Sequence, residues 1–199
     1  MQKNKIRCEW CLPKGNASAN DLMIKYHDEE WGNPVHDDRK LFEFLILDAF
    51  QAGLSWSTII NKRGNFRKAF DNFDYTKIAK YNEIKLNKLL IDAGIIRNKM
   101  KIYASVENAK VFMKIQREFT SFDKYIWQFT GGKTLQNNIK LHKHIPATSK
   151  ESDAMSKDLR SRGFKFAGST ICYAFMQAAG MVNDHIEDCF RYKSLSKNK

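Results

Sequence analysis

The chain has 199 residues, enough for one ordinary domain or a tight pair of small ones, and enough to bury a core without disulfide staples. Its 34 Lys and Arg against 22 Asp and Glu give a formal net charge of +12, while 43% apolar content excludes intrinsic disorder, so the charge points to a polyanionic partner. The start MQKNKIRCEWC has no apolar core of signal-peptide length, and the longest uncharged run, between Lys165 and Asp184, is too polar for a lipid span, which predicts a cytoplasmic protein with no membrane role.

Glycine and proline are scarce and the apolar spacing is helical, so the expected fold class is all-α. In chain order, Asp37 and Asp38 are N-cap candidates for a helix through RKLFEFLILDAFQA that stops at Gly53. A second helix starts near Asn82 and ends at Gly94. A third follows in NKMKIYASVENAKVFMKIQ, with Met100, Tyr103, Ala104, Val111 and Ile115 broadly on one side. Ser121 caps FDKYIWQF, KHIPATS reads as a loop, and a helix runs from about Ser152 to Ser161. The apolar STICYAFMQAA is closed by Gly180, and Asn183 or Asp184 is expected to cap a last helix carrying HIEDCF. The organisation expected is a single unit over residues 1–190, with room for two closely packed helical subdomains, followed by a basic tail at 191–199.

Charge is unevenly spread. Residues 21–48 hold eight acids and three bases, a local net of −5, which leaves +17 for the rest. A basic body around an acidic segment suits a protein that grips phosphates broadly yet presents negative charge to something specific.

Four cysteines in a cytosolic chain read as thiols or metal ligands rather than bridges. His185 and Cys189 stand one helical turn apart, so both would face one ion. Cys8, Cys11 and His27 are the other candidates. A tetrahedral zinc site needs four of these five, and generic spacing favours pairing Cys8 with Cys11. Cys172 reads as core packing, and His36, His142 and His144 as surface histidines.

Three of the four tryptophans, Trp10, Trp31 and Trp56, lie in the first 56 residues with Tyr26, the part of the chain that also holds the acidic segment. A pocket lined by these rings and a carboxylate would favour a flat cationic ring. Asp48 is the acid expected in it, because it follows Leu41, Phe44 and Leu45 at helical spacing and so falls on or beside a buried face. Further on, RGFKFAGST sets Gly163 and Gly168 in a turn between two helices. There, successive backbone N–H groups, the next helix dipole, and Lys165, Ser169 and Thr170 could hold one phosphate.

Six ordered blocks, CEW (8–10), YHDEEWG (26–32), KLFEFLILDAFQAGLSW (40–56), DAGIIRNKMKI (92–102), RGFKFAGSTICYAFMQAAG (162–180) and VNDHIEDC (182–189), resemble the bacterial DNA-3-methyladenine glycosylase I (Tag) family, a branch of the helix-hairpin-helix glycosylases. The resemblance implies a helix-hairpin-helix fold and one structural zinc ion held by Cys8, His27, His185 and Cys189, clasping the two ends of the chain and leaving Cys11 out. It implies a base pocket of Tyr26, Trp56, Trp31 and Trp10 with Asp48 as the catalytic carboxylate. Gly53 and Leu54 match the wedge that fills the gap in the base stack, and Gly163, Lys165, Gly168, Ser169 and Thr170 match the backbone anchor. The implied activity is flipping and hydrolytic excision of 3-methyladenine from alkylated double-stranded DNA by a monomer, with no lysine nucleophile for a lyase step. Asp48 stands where the family pattern has glutamate, Met23 replaces an aromatic residue, and the segment from Cys11 to Asp21 is longer than the pattern. The alternatives are a shifted lesion range or a zinc-containing damage-binding protein without turnover.

Overall fold

The computed structural model describes residues 5–13 and 20–196. The middle of the long segment between Cys11 and Asp21, and the end of the basic tail beyond Ser196, lie outside the described residues. Ten α-helices are present among the described residues: α1 (Asp21–Glu29), α2 (Asp38–Gln51), α3 (Trp56–Ala69), α4 (Tyr75–Ile78), α5 (Glu83–Ile91), α6 (Lys99–Phe119), α7 (Phe122–Trp127), α8 (Lys150–Ser161), α9 (Ser169–Ala178) and α10 (Phe190–Ser196). The expected N-caps Asp37 and Ser121 accept from the Lys40 and Lys124 amides, and Asn82, near the expected start of the second helix, accepts from Lys85. Helix α8 begins before Ser152 because Ser149 and Ser152 close a reciprocal capping box.

Helices α1, α3 and α4 were not marked by apolar spacing. In α3 the reason is specific: its buried face is Ile59, Ile60, Arg63 and Phe66, so an arginine occupies a core position that a hydrophobicity pattern counts as solvent. A buried ion network supports it. The Arg63 guanidinium donates to Glu43 at 2.7 Å and to both Glu30 oxygens at 2.9 Å.

The expected helix over HIEDCF is corrected by the structure. Val182–Asn183 forms a strand, β2, that pairs in parallel with β1 (Leu135–Gln136), and Ile186 bridges to Ile139. Backbone groups that a helix would use internally are spent on that ladder: Asn137 N–H donates to the Asn183 carbonyl and Glu187 N–H to the Ile139 carbonyl. Helicity resumes only at Phe190, so the basic stretch continues as α10 and buries Leu195.

Helix α2 is the axis of the fold. Ten consecutive residues, Leu41 to Phe50, are buried, and one apolar cluster joins them to residues of α1, α3, α5, α6, α7, α8 and α9. A helix enclosed on all sides can place a polar side chain in the interior, and Asp48 is that side chain. Two close approaches then fix the surroundings. A Cβ on Gly180 would lie 2.2 Å from the Asn33 carbonyl carbon, so only glycine lets the segment carrying Trp31 dock on the end of α9. At the other end of α2, the buried Lys101 ammonium donates to the carbonyls of Phe50 (2.9 Å) and Ala52 (2.6 Å), satisfying the helix C-terminus.

Candidate active site and metal centre

The pocket is assembled around the α2–α3 turn. Asp48 sits one turn before the end of α2; Gly53 takes φ +81°, a left-handed conformation that turns the chain outward. Leu54 follows as an exposed apolar residue, 40% accessible, and Ser55 caps α3 by accepting from Thr58 N–H. Trp56 is the first residue of α3. Nine residues therefore carry the carboxylate, the two residues matching the wedge, and a pocket ring.

A cavity of about 560 Å³ lies over Asp48, lined by Trp10, Tyr26, Trp31 and Trp56 with Met23 and Gln51. Tyr26 and Trp56 have centroids 5.0 Å apart, and Trp10 meets Trp31 edge-on at 4.9 Å. Asp48 is 2% exposed and its Oδ2 has no hydrogen-bond partner among the described residues; Trp10 Nε1 and Trp56 Nε1 are also buried and without a partner among them. Burial pushes the Asp48 carboxyl well above the usual carboxylate range, with the Arg63 charge acting against that. An acceptor and indole donors held in the dry without partners are what a polar ligand completes.

Residues that the sequence did not assign to the pocket complete the wall: Ser55, Ser57, Ala174, Gln177 and His142, with Lys143 and Ile145 from the KHIPATS loop. His142 is exposed, as expected of a surface histidine, yet it borders the cavity. No local motif marks these positions, because the fold alone brings them to α2.

Behind Trp10 and Trp31 stands a second polar cluster. Cys8 Sγ, His27 Nε2, His185 Nδ1 and Cys189 Sγ are buried and lie within 4.8 Å of one another. Cys8 Sγ and Cys189 Sγ are 3.5 and 3.4 Å from His185 Nδ1, and Cys189 Sγ is 3.5 Å from His27 Nε2. Ordinary Zn–S and Zn–N lengths in a tetrahedron place sulfur and nitrogen ligands about 3.5 Å apart. The outer nitrogens fit as well. His185 Nε2 is 3.0 Å from the Trp31 carbonyl, which only accepts, so that nitrogen carries the proton and Nδ1 is left to the cluster. His27 Nδ1 is 2.8 Å from Asp28, which Arg7 holds in turn. Cys11 is buried nearby, but its thiol donates to the Cys8 carbonyl at 3.1 Å and is not part of the group of four. The two sites share a wall, since the Trp31 ring stands edge-on to His185 at 4.5 Å.

The turn between α8 and α9 spans residues 162–168. Gly163 has φ +103°, and Gly168 precedes α9 without a side-chain cap, leaving first-turn amides of α9 available. Asn108 clamps the Lys165 peptide on both sides, at 2.7 and 3.0 Å, while the Lys165 side chain is exposed. Thr170 is exposed. The Ser169 hydroxyl is engaged internally with Ser152 and Asp153.

A helical protein that closes aromatic faces over a lone carboxylate is built to take a planar, positively charged ring. The family model described as methyladenine glycosylase matches residues 16–192. DNA-3-methyladenine glycosylase 1 of Escherichia coli (strain K12) is 43% identical over 186 residues, 94% of this chain and 96% of its own length. A solved tyrosine-to-phenylalanine variant of 3-methyladenine DNA glycosylase I, in complex with 3-methyladenine, is 31% identical with TM-score 0.84, covering 87% of this chain and 93% of that one. A glutamate-to-glutamine variant of the Staphylococcus aureus 3-methyladenine DNA glycosylase I is also 31% identical, with TM-score 0.83 and the same coverage. The chain belongs to the methyladenine glycosylase family.

Proposed function

We propose that this DNA glycosylase flips an N3-methylated adenine out of alkylated double-stranded DNA into the pocket over Asp48 and hydrolyses its glycosidic bond, leaving an abasic site. The observation that carries the reading is the buried Asp48 carboxylate, without a partner among the described residues, in a cavity lined by four aromatic rings. The residues altered in the two solved variants bear numbers separated by the same interval as Tyr26 and Asp48, which supports equating the pairs.

The lesion is cationic, so its glycosidic bond is already weakened. Stacking worth about 1–3 kcal/mol per base offsets a flipping cost of a few kcal/mol. Asp48 as carboxylate accepts a hydrogen bond from the exocyclic amine and stabilises the positive ring. Water adds to C1′ and gives up one proton to solvent, the C1′–N9 bond breaks, and its electron pair passes to the base, which leaves neutral. Normal adenine has no charge to answer the carboxylate, and this gives the selectivity. Leu54 on the Gly53 turn fills the vacated stack. The helix-hairpin-helix element is α8–turn–α9, where Gly163, Lys165, Gly168, Ser169 and Thr170 hold the DNA backbone; the internal bonds of the Ser169 hydroxyl make its backbone amide the contact.

Cys8, His27, His185 and Cys189 would hold one zinc ion, and with four protein side chains as its ligands its part would be to stabilise the fold. It would tie the segment bearing Trp10 to the one entering α10. We place the protein in the cytoplasm as a monomer; no helix among the described residues is long and apolar enough to cross a membrane.

Single-turnover release of free 3-methyladenine from methylated DNA tests the reading. Release by the wild-type chain, lost in Asp48→Asn, supports it. Binding without release would make the chain a damage-binding protein.

A further inference from the structure

Part of the pocket wall comes from a stretch whose charge is opposite to that of the acidic segment. Between Asp123 and Glu151 there is no acidic residue, while Lys124, Lys133, Lys140, Lys143 and Lys150 are basic. Its middle, Lys140 to His144, reads KLHKH; residues His142–His144 form a short 3₁₀ turn, and all five are exposed. His142 and Lys143 nevertheless border the same cavity as the buried Asp48.

The turn is fixed at both ends. On one side Ile139 pairs with Ile186, between two members of the metal-ligand group. On the other, Ser149 caps α8, the first helix of the hairpin. A lysine beside a pocket for a cationic ring is unfavourable if it meets the ring. It is favourable if the ring lies deep and an anion lies at the mouth. A nucleotide with an alkylated base has that polarity: positive base inside, phosphate outside. The cavity has the matching arrangement, with a carboxylate 2% exposed at its floor and an exposed ammonium and imidazole at its rim.

We propose that His142 and Lys143 hold the backbone phosphate of the flipped nucleotide, a DNA contact separate from the turn between α8 and α9. This rests on the glycosylase reading and adds a residue-level determinant of how the extrahelical nucleotide is gripped.

The test measures affinity of the full chain, against salt, for a duplex carrying a tetrahydrofuran abasic-site analogue, with free 3-methyladenine binding followed in parallel by tryptophan fluorescence. Lys143→Gln is expected to weaken duplex binding about tenfold at low salt and to reduce the slope of log Kd on log salt by about one. His142→Ala should weaken it about threefold. Lys140→Gln removes the same charge from the same turn outside the cavity, and should have an effect of less than about twofold. Free 3-methyladenine affinity should be unchanged in all three. The proposal is overturned if Lys143→Gln leaves duplex affinity and slope at wild-type values, if Lys140→Gln matches it, or if free-base affinity falls in parallel. Failure of the wild-type chain to bind 3-methyladenine would instead sink the glycosylase reading.

Discussion

Two buried polar clusters lie on either side of Trp31, and they differ in one respect. Around Cys8, His27, His185 and Cys189 the outer ring nitrogens have partners: Asp28 for His27 and the Trp31 carbonyl for His185. Around Asp48 one carboxylate oxygen and two indole N–H groups have none among the described residues. Burying an unpartnered polar group costs about 1–3 kcal/mol, so a fold tolerates it where something outside the chain supplies the missing bond. The satisfied cluster is therefore assigned to holding the fold, and the unsatisfied one to binding a ligand.

The largest effect expected from this contrast falls on the first cluster. Cys189→Ser should abolish bound zinc and with it much of the stability, because apparent zinc affinities of about 10–16 kcal/mol in small zinc-dependent units are also folding free energies. Cys11→Ser should retain one zinc per chain with a near-normal Tm. Metal analysis with thermal unfolding checks both, and a zinc-free Cys11→Ser beside a zinc-loaded Cys189→Ser would restore the closer-spaced cysteine pair as the ligands.

Asp48 should behave in the opposite way: essential to the reaction and costly to the fold. Asp48→Asn is expected to lower single-turnover excision by about 10²–10³, the range for losing one preorganised electrostatic contact. Its Tm at neutral pH should not fall. Burial raises the Asp48 carboxyl above its unfolded range, so the folded state binds the proton more tightly. The stabilisation from Asp48 is complete below the unfolded pKa and is lost as pH rises through the folded one. The stability of wild type relative to Asp48→Asn should therefore decline as pH rises, while wild-type excision increases over the same window as the carboxylate forms. A Tm difference that grows in favour of wild type with rising pH would show that Asp48 has a partner in the free protein.

How far each cluster could be read from sequence follows from the same contrast. Capped, amphipathic helices such as α5 and α6 announce themselves, and so does the acid at position 48 inside LILDAF, since a carboxylate amid apolar residues breaks a local pattern. The paired acids and bases of the Arg63 network do not. Glu30, Glu43 and Arg63 each look like solvated charges until the fold makes them mutual partners. The segment 182–189 misled for a related reason. The spacing of His185 and Cys189 suits a helix, but its backbone hydrogen bonds go to residues 135–139, a pairing that no local rule contains. Both residues still join the cluster, from a turn instead of a helix. His142 was legible as a surface histidine and Lys143 as the start of a loop, and only their place at the cavity required the structure.

Trp31 gives the smallest effect, and it separates the clusters most directly because its two ends serve different ones. Its carbonyl receives the His185 proton, whereas its ring lines the pocket and packs against Trp10. Trp31→Phe keeps the backbone carbonyl and shortens the ring, so zinc content should stay at one per chain. Affinity for free 3-methyladenine should fall about two- to tenfold, as expected from about 0.5–1.5 kcal/mol of aromatic contact. The His185 interaction is held by backbone, whose position is set by the glycine contact of Gly180 with Asn33 and by the Gly32 N–H bond to the Gln177 carbonyl, neither of which involves the indole. If zinc is lost along with base affinity, the ring rather than the peptide aligns His185, and the two clusters are a single energetic unit.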